Sequence, residues 1–194
     1  MFSPTEILWA LIGLLLTIGG TFLQASMTSP PWHWGVSGIP TFPLGVSYQI
    51  GAVLLVACLG GKNAGAISQI AYLVLGLTWL PVFTQGGGIN YIKEPSFGYL
   101  LGFVPGAWLC GFLAFRKAPK LETIAFSCVC GLGIIHLVGI IYLVFSQSLN
   151  WGNNSAVSLW STVLQYSFYR LPGQLALVCA VTVLAFLIRR LMFY

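Results

Sequence analysis

The chain has no aspartate, and its whole stock of charge is eight Lys or Arg and three Glu in 194 residues, 6% of the sequence, where a soluble domain carries about 25%. Such a chain cannot dress a water-facing surface. The three carboxylates, Glu6, Glu94 and Glu122, all fall at the edges of apolar runs. No paired acid and base can be assembled between those runs, so hydrolytic chemistry lacks its parts. No G-x-x-x-x-G-K-[ST] loop occurs, since Gly60-Gly61-Lys62-Asn63 has no hydroxyl after the lysine, and ATP is not bound by that route. With neither Asp nor a central Glu, the usual proton or sodium relay of an active transporter is missing too. The formal net charge is +5, but no basic stripe interleaved with polar or aromatic residues is there to follow a phosphate backbone. Nucleic acid is excluded as a partner.

What is present is hydrophobic: 58% of residues, in long runs. A hydrocarbon core about 30 Å thick takes about 20 apolar residues per helix, and the runs predict spans near 6–24, 45–61, 64–83, 97–115, 122–146 and 160–188. The expected fold is all-α: a single six-helix membrane domain over residues 1–194 in a cell membrane, with the lipid bilayer as solvent. The first run has no basic flank and no A-x-A-like end, so it is expected to stay as a permanent helix. With a cytoplasmic N-terminus, the inside turns hold Lys62, Arg116, Lys117, Lys120, Arg189 and Arg190, leaving Lys93 and Arg170 outside. That bias obeys the positive-inside rule and predicts both termini in the cytoplasm. The last apolar region, from about Ala156 to Arg190, is too long for one crossing, and Leu171-Pro172-Gly173-Gln174 is the expected interruption.

The outer loops have a different composition. Residues 25–44 carry Pro30, Pro31, Pro40, Pro43, Trp32, His33 and Trp34, and residues 84–96 carry Gln85-Gly86-Gly87-Gly88. Both suit a lid, although tryptophans also anchor at the headgroup layer. Gly98, Gly102 and Gly106 predict a close helix contact in the fourth span. Ala10, Gly13, Thr17 and Gly20 form a small-residue stripe on the first helix, open either to internal packing or to docking of a partner helix. The five cysteines lie inside apolar runs, and Cys128 and Cys130, two apart, point to different sides of a helix. No metal site is expected from that pair, and no cofactor. His136 is the only intramembrane histidine, and it reads either as a packing residue or, by the cost of burying it, as a functional one.

Residues Gln49 to Ala114 resemble BioY, the biotin-specific substrate-binding (S) component of energy-coupling factor (ECF) transporters. The carriers are Gln49, YLVLGLTWLPVF (72–83), the glycines at 86–88, PSFGYLLGF (95–103), GIIHLVGIIYL (133–143) and LPG (171–173). The resemblance implies a subunit that does no chemistry, captures biotin or a related vitamin from outside, and docks on a transmembrane coupling protein driven by two cytosolic ATPase subunits. The other readings are an integral membrane enzyme acting on lipid and a structural subunit of a membrane complex. After the Pro-Gly turn the family usually has Asp and, three residues on, Lys; this chain has Gln174 and Leu177.

For biotin, Gln174, Asn90 and Gln49 offer amide donors and acceptors, Trp79, Tyr91 and Trp108 offer walls, and Lys93 or Arg170 offers a cation for the carboxylate. Lys93 also fits a solvated pair with Glu94, and Arg170 also fits snorkelling to outer headgroups. The partner-docking face is expected at Ala10, Gly13, Thr17 and Gly20.

Overall fold

The structure, a computed structural model, describes residues 3–30, 32, 34, 41–78, 80–149 and 158–192. Helix α1 spans Pro4–Phe22. Its start is set by a capping box, in which the Ser3 hydroxyl accepts from the Glu6 N–H at 3.2 Å and the Glu6 carboxylate accepts from the Ser3 N–H at 3.0 Å, with Pro4 preset for the first turn. Glu6 also accepts from Asn63 Nδ2 at 2.8 Å, which ties this end of α1 to the middle of α2.

Helix α2 spans Gln49–Thr78 but is broken at Gly61, where φ is 83° and ψ −178°, a backbone that favours glycine. The chain doubles back there. A Cβ on Gly65 would sit 3.2 Å from the Cα of Ala57, whereas residues eight apart in a continuous helix are separated by about 12 Å. The sequence places spans at 45–61 and 64–83; in the structure residues 45–47 belong to a strand and the helix stops at Thr78.

Helix α1 lies in the groove between the two halves of α2. A Cβ on Gly13 would approach Val56 to 2.7 Å and Ser68 to 2.9 Å, and one on Gly20 would reach the backbone of Tyr48 and Gln49 at 3.0 Å. Ala10, Gly13, Thr17 and Gly20 are all buried in this contact, and Gln69 Nε2 donates to Thr17 Oγ1 at 3.1 Å. This corrects the expectation that the stripe is a docking face. Small residues let helix backbones approach closely, and here the approaching helix is the chain's own α2.

Helices α3 (Phe97–Ala114) and α4 (Leu121–Ser148) form the second tight pair. Cβ atoms on Gly102 and Gly106 would meet the Ile135 and Gly131 carbonyl oxygens at 2.8 and 2.9 Å, so the G-x-x-x-G face is used as its spacing suggests. Helix α5 (Leu159–Val163) widens into a π turn at Leu164–Phe168 before α6 (Leu171–Met192) begins. The interruption falls just ahead of Pro172, where an imino acid costs no intrahelical bond.

Among the described residues, five helical stretches are long and apolar enough to cross a membrane: Pro4–Phe22, Gln49–Thr78, Phe97–Ala114, Leu121–Ser148 and Leu159–Met192. Strands β1 (Gln24–Thr28) and β2 (Thr41–Ser47) pair antiparallel at one end of the bundle, in a stretch read from sequence only as a loop. Ala25, Val46 and Leu177 pack together, and a Cβ on Gly173 would come within 2.5 Å of the Leu44 carbonyl. Glycine at 173 is thus what lets the hairpin lie on the first turn of α6.

Candidate functional site: a cavity between two polarised glutamines

The hairpin, the 84–96 loop and the start of α6 enclose a cavity of about 420 Å³, within the usual range for small-molecule sites. Gln49, Tyr91, Tyr99, Tyr166, Arg170 and Gln174 line it, with hairpin residues 45–47 as one side, and no carboxylate is among the described residues lining it. Four of the residues expected from sequence to contact ligand, Gln49, Tyr91, Arg170 and Gln174, therefore meet in one place. Asn90 and Lys93 are exposed and line no part of it, so the expected polar roles for them at the cavity wall are not realised. Trp79 lies outside the described residues. Trp108, expected as a wall, is instead beside Lys62, whose Nζ is 5.8 Å from its ring, with Phe112 stacked on it at 5.5 Å. Its place in α3, eleven residues past Phe97, takes it to the opposite end of the bundle.

Gln49 sits in the first turn of α2 and is buried. Its Nε2 donates to the Tyr72 hydroxyl at 3.0 Å, and that hydroxyl donates to the Val82 carbonyl at 3.0 Å. Thr21 Oγ1 stands 3.2 Å from the same hydroxyl while donating to the Thr17 carbonyl at 2.8 Å. The Gln49 amide nitrogen is thereby engaged inside the protein. One of its two N–H groups is spent there, so Oε1 is the end of this amide that stays wholly free for the cavity it lines.

Gln174 is held in the opposite sense. Its Oε1 lies 2.6 Å from His136 Nε2, while His136 Nδ1 lies 3.1 Å from Ser167 Oγ, which lies 2.7 Å from the Tyr99 hydroxyl. A carbonyl oxygen can only accept, so His136 must carry its proton on Nε2. Nδ1 then accepts from Ser167, and Ser167 accepts from Tyr99. The chain of donors runs one way and leaves both Gln174 N–H groups for the cavity. His136, alone in its own span by sequence, is thus a positioning residue for an amide 38 positions away.

Aromatic rings complete the walls. Tyr99 stacks on Tyr166 with centroids 6.0 Å apart, and the Arg170 guanidinium lies 5.0 Å from the Tyr166 centroid. Arg170 is exposed and so stands at the mouth. The Tyr91 hydroxyl pairs with Ser96 Oγ at 3.0 Å, and burial holds this phenol above its usual range, with the Ser96 bond acting in the opposite direction. The 84–96 loop is clamped from two sides. Tyr142 donates to the Ile92 carbonyl, and the Gly88 N–H donates to the Gly76 carbonyl at 2.8 Å. Sequence reasoning missed Tyr72, Tyr99, Tyr166 and Ser167. Tyr72 and Tyr99 lie inside motifs read for resemblance, YLVLGLTWLPVF and PSFGYLLGF, but nothing local distinguishes them from the other aromatics.

A multi-pass helical membrane protein with a cavity of mixed aromatic and polar lining at an end of its bundle has the build of a small-molecule binding subunit. The chain belongs to the BioY family, whose model matches residues 5–193. It is 30% identical to an uncharacterised 21.2 kDa protein from the psbX-ycf33 intergenic region of Cyanophora paradoxa, across 96% of this chain and 95% of that one. It is 39% identical to the probable biotin transporter BioY of Lysinibacillus sphaericus over 67% of this chain and 64% of that protein, and 39% identical to the biotin transporter BioY of Thermotoga maritima over 55% and 63%. The fold matches the crystal structure of the S-component for biotin from an ECF-type ABC transporter with a TM-score of 0.70, at 21% identity over 98% of this chain and 95% of that one.

Proposed function

We propose that this protein is the S component of an ECF-type biotin uptake system of the cell membrane, binding the vitamin in the cavity between α2 and α6 without transforming it. One observation supports the reading most: two glutamines of opposite presented polarity share one cavity in a chain of the BioY family. A cyclic urea has an acceptor oxygen flanked by two N–H donors. Gln174 N–H groups suit the oxygen and Gln49 Oε1 suits an N–H, while the Tyr99 and Tyr166 rings suit the fused apolar bicycle. Arg170 at the mouth suits the valerate carboxylate. The partners in this reading are biotin, the transmembrane coupling protein and its two ATPase subunits.

The same reading takes the Gly61 reversal as a turn between two membrane passes, giving six crossings with both termini in the cytoplasm and the cavity facing out. In a background without the native cysteines, a single cysteine at Asn63 or Ala118 should be shielded from impermeant thiol reagents in intact cells; labelling there from outside would overturn the topology. For the ligand, calorimetric titration of the detergent-purified protein should show one biotin site, weakened by analogues whose ureido ring has been opened. If no biotin binds while mass spectra of the purified protein reveal another stoichiometric small molecule, biotin is wrong.

A further inference from the structure

At the end of the bundle away from the cavity, three cysteines distant in sequence converge. Cys58 of α2 has its sulfur 3.6 Å from that of Cys110 in α3 and 3.5 Å from that of Cys128 in α4, and all three sulfurs lie within 4.8 Å of one another. Each side chain is fully buried. We propose that these three thiols are a binding site for a soft monovalent d10 cation, copper(I) being the representative, separate from the ligand cavity.

The geometry suits this class of ion. A point equidistant from three sulfurs so spaced lies about 2.1–2.4 Å from each, against about 2.3 Å for a zinc–thiolate bond, a d10 ion of similar size. Thiolates select soft ions. Zinc in a structural site takes four ligands, whereas the cluster offers three sulfurs and apolar surroundings that include Leu54. Gly131, three residues past Cys128 on the same face of α4, makes the convergence feasible, because a Cβ there would sit 2.9 Å from the Cys110 Cβ.

A second feature points into the cluster. Thr182 of α6 is 4% exposed, its hydroxyl meets no hydrogen-bond partner of normal geometry, and it faces Cys128. A hydroxyl so placed would hydrogen-bond a ligating thiolate. Arg189, buried about two turns further along α6, donates to the Ala114 carbonyl at 2.8 Å and lies within electrostatic reach of Cys58. Two thiolates and one thiol around a monovalent cation carry one negative charge, which a guanidinium offsets; the two protons released go to bulk water.

Access also exists. A surface depression of about 380 Å³ at this end is lined by Gly60, Gly61, Lys62, Asn63, Gly111 and Arg116; Gly111 follows Cys110 in the chain and Gly60 lies two residues past Cys58, so only the packing of these two turns separates it from the cluster. Cys58 is nine residues along α2 from Gln49, about 13 Å, so the two sites do not overlap.

The test is an anaerobic titration of the reduced, detergent-purified full chain with copper(I) against a chromophoric copper(I) chelator. One equivalent should be withheld from the chelator, and X-ray absorption should show sulfur neighbours only, at about 2.3 Å. Cys58→Ser, Cys110→Ser and Cys128→Ser should each weaken retention by about tenfold or more, while Cys130→Ala with Cys179→Ala leaves it unchanged. Should a serine variant fail to fold, the alanine variant at the same position, checked by biotin titration, takes its place. Failure of the wild type to retain copper, equal retention by a Cys58, Cys110, Cys128 triple variant, or nitrogen and oxygen neighbours in the absorption spectrum would overturn the proposal. Retention of zinc in place of copper would overturn it as well.

Discussion

The two walls of the cavity present the same residue type and opposite chemistry. On the α2 side, Gln49 gives its nitrogen to Tyr72; on the α6 side, Gln174 gives its oxygen to His136. An amide carries donor and acceptor alike, so residue identity leaves its recognition sense undecided, and the neighbour that occupies one end decides what the other end offers. The walls also differ in construction. The Gln49 wall closes on a backbone carbonyl, that of Val82, and so is tied to the fold. The Gln174 wall closes on a chain of side chains, His136, Ser167 and Tyr99, and so can be reset by substitution.

The largest expected effect comes from reversing one wall while keeping its shape. Gln174→Glu removes both cavity-facing donors and puts a carboxylate in their place, and we expect biotin affinity to fall roughly a hundredfold. The loss combines a ligand hydrogen bond of about 0.5–1.5 kcal/mol with an unmatched polar group of about 1–3 kcal/mol. Gln49→Glu, which keeps an acceptor toward the cavity, should cost clearly less in calorimetry, and equal losses would break the comparison. Next comes Tyr72→Phe. It strands the Val82 carbonyl and the Gln49 amide, so it should destabilise the protein by about 1–3 kcal/mol in detergent thermal unfolding, with affinity falling secondarily as Gln49 is freed to turn.

Ser167→Ala cuts the donor chain between Tyr99 and His136 without touching the cavity. With Nδ1 left without its donor, the imidazole is held less firmly behind Gln174, and affinity should fall by about threefold to tenfold, matching one neutral hydrogen bond; Ser167→Thr should restore it. A fall for both would show that packing rather than the hydroxyl matters. The smallest effect is expected at the mouth, where Arg170 is exposed and its pairing with a carboxylate is screened. Arg170→Ala should weaken biotin by about twofold to fivefold, less so at high salt, in keeping with exposed ion pairs, while Lys93→Ala changes nothing. Salt-independent loss at Arg170 would point to its stacking on Tyr166 instead.

Much of the architecture could be read along the chain, and where it could not the reason is specific. The break before Pro172 and the tight α3–α4 contact at Gly102 and Gly106 follow from local chemistry and helical spacing. The α1 stripe had the right spacing too, but spacing says only that a backbone approaches, and the structure supplies α2 as that backbone. Strands β1 and β2 were hidden because prolines and glycines in a short hairpin look like any loop. Cys128 and Cys130 were weighed as a pair because they are neighbours in sequence; the partners of Cys128 turned out to be 70 residues away at Cys58 and, on another helix, Cys110.

Composition and run length are properties of the chain itself, and by themselves they determined that its solvent is a bilayer and roughly where each helix lies; Gln49 and Gln174 were singled out only by the resemblance to the family. Hydrogen bonds are short and directional, and those that orient the two glutamines join residues 10 to 68 positions apart. Only the tertiary structure could therefore decide that His136 stands behind Gln174, that the two glutamines present opposite ends of their amides, and that three thiols from three helices share one point.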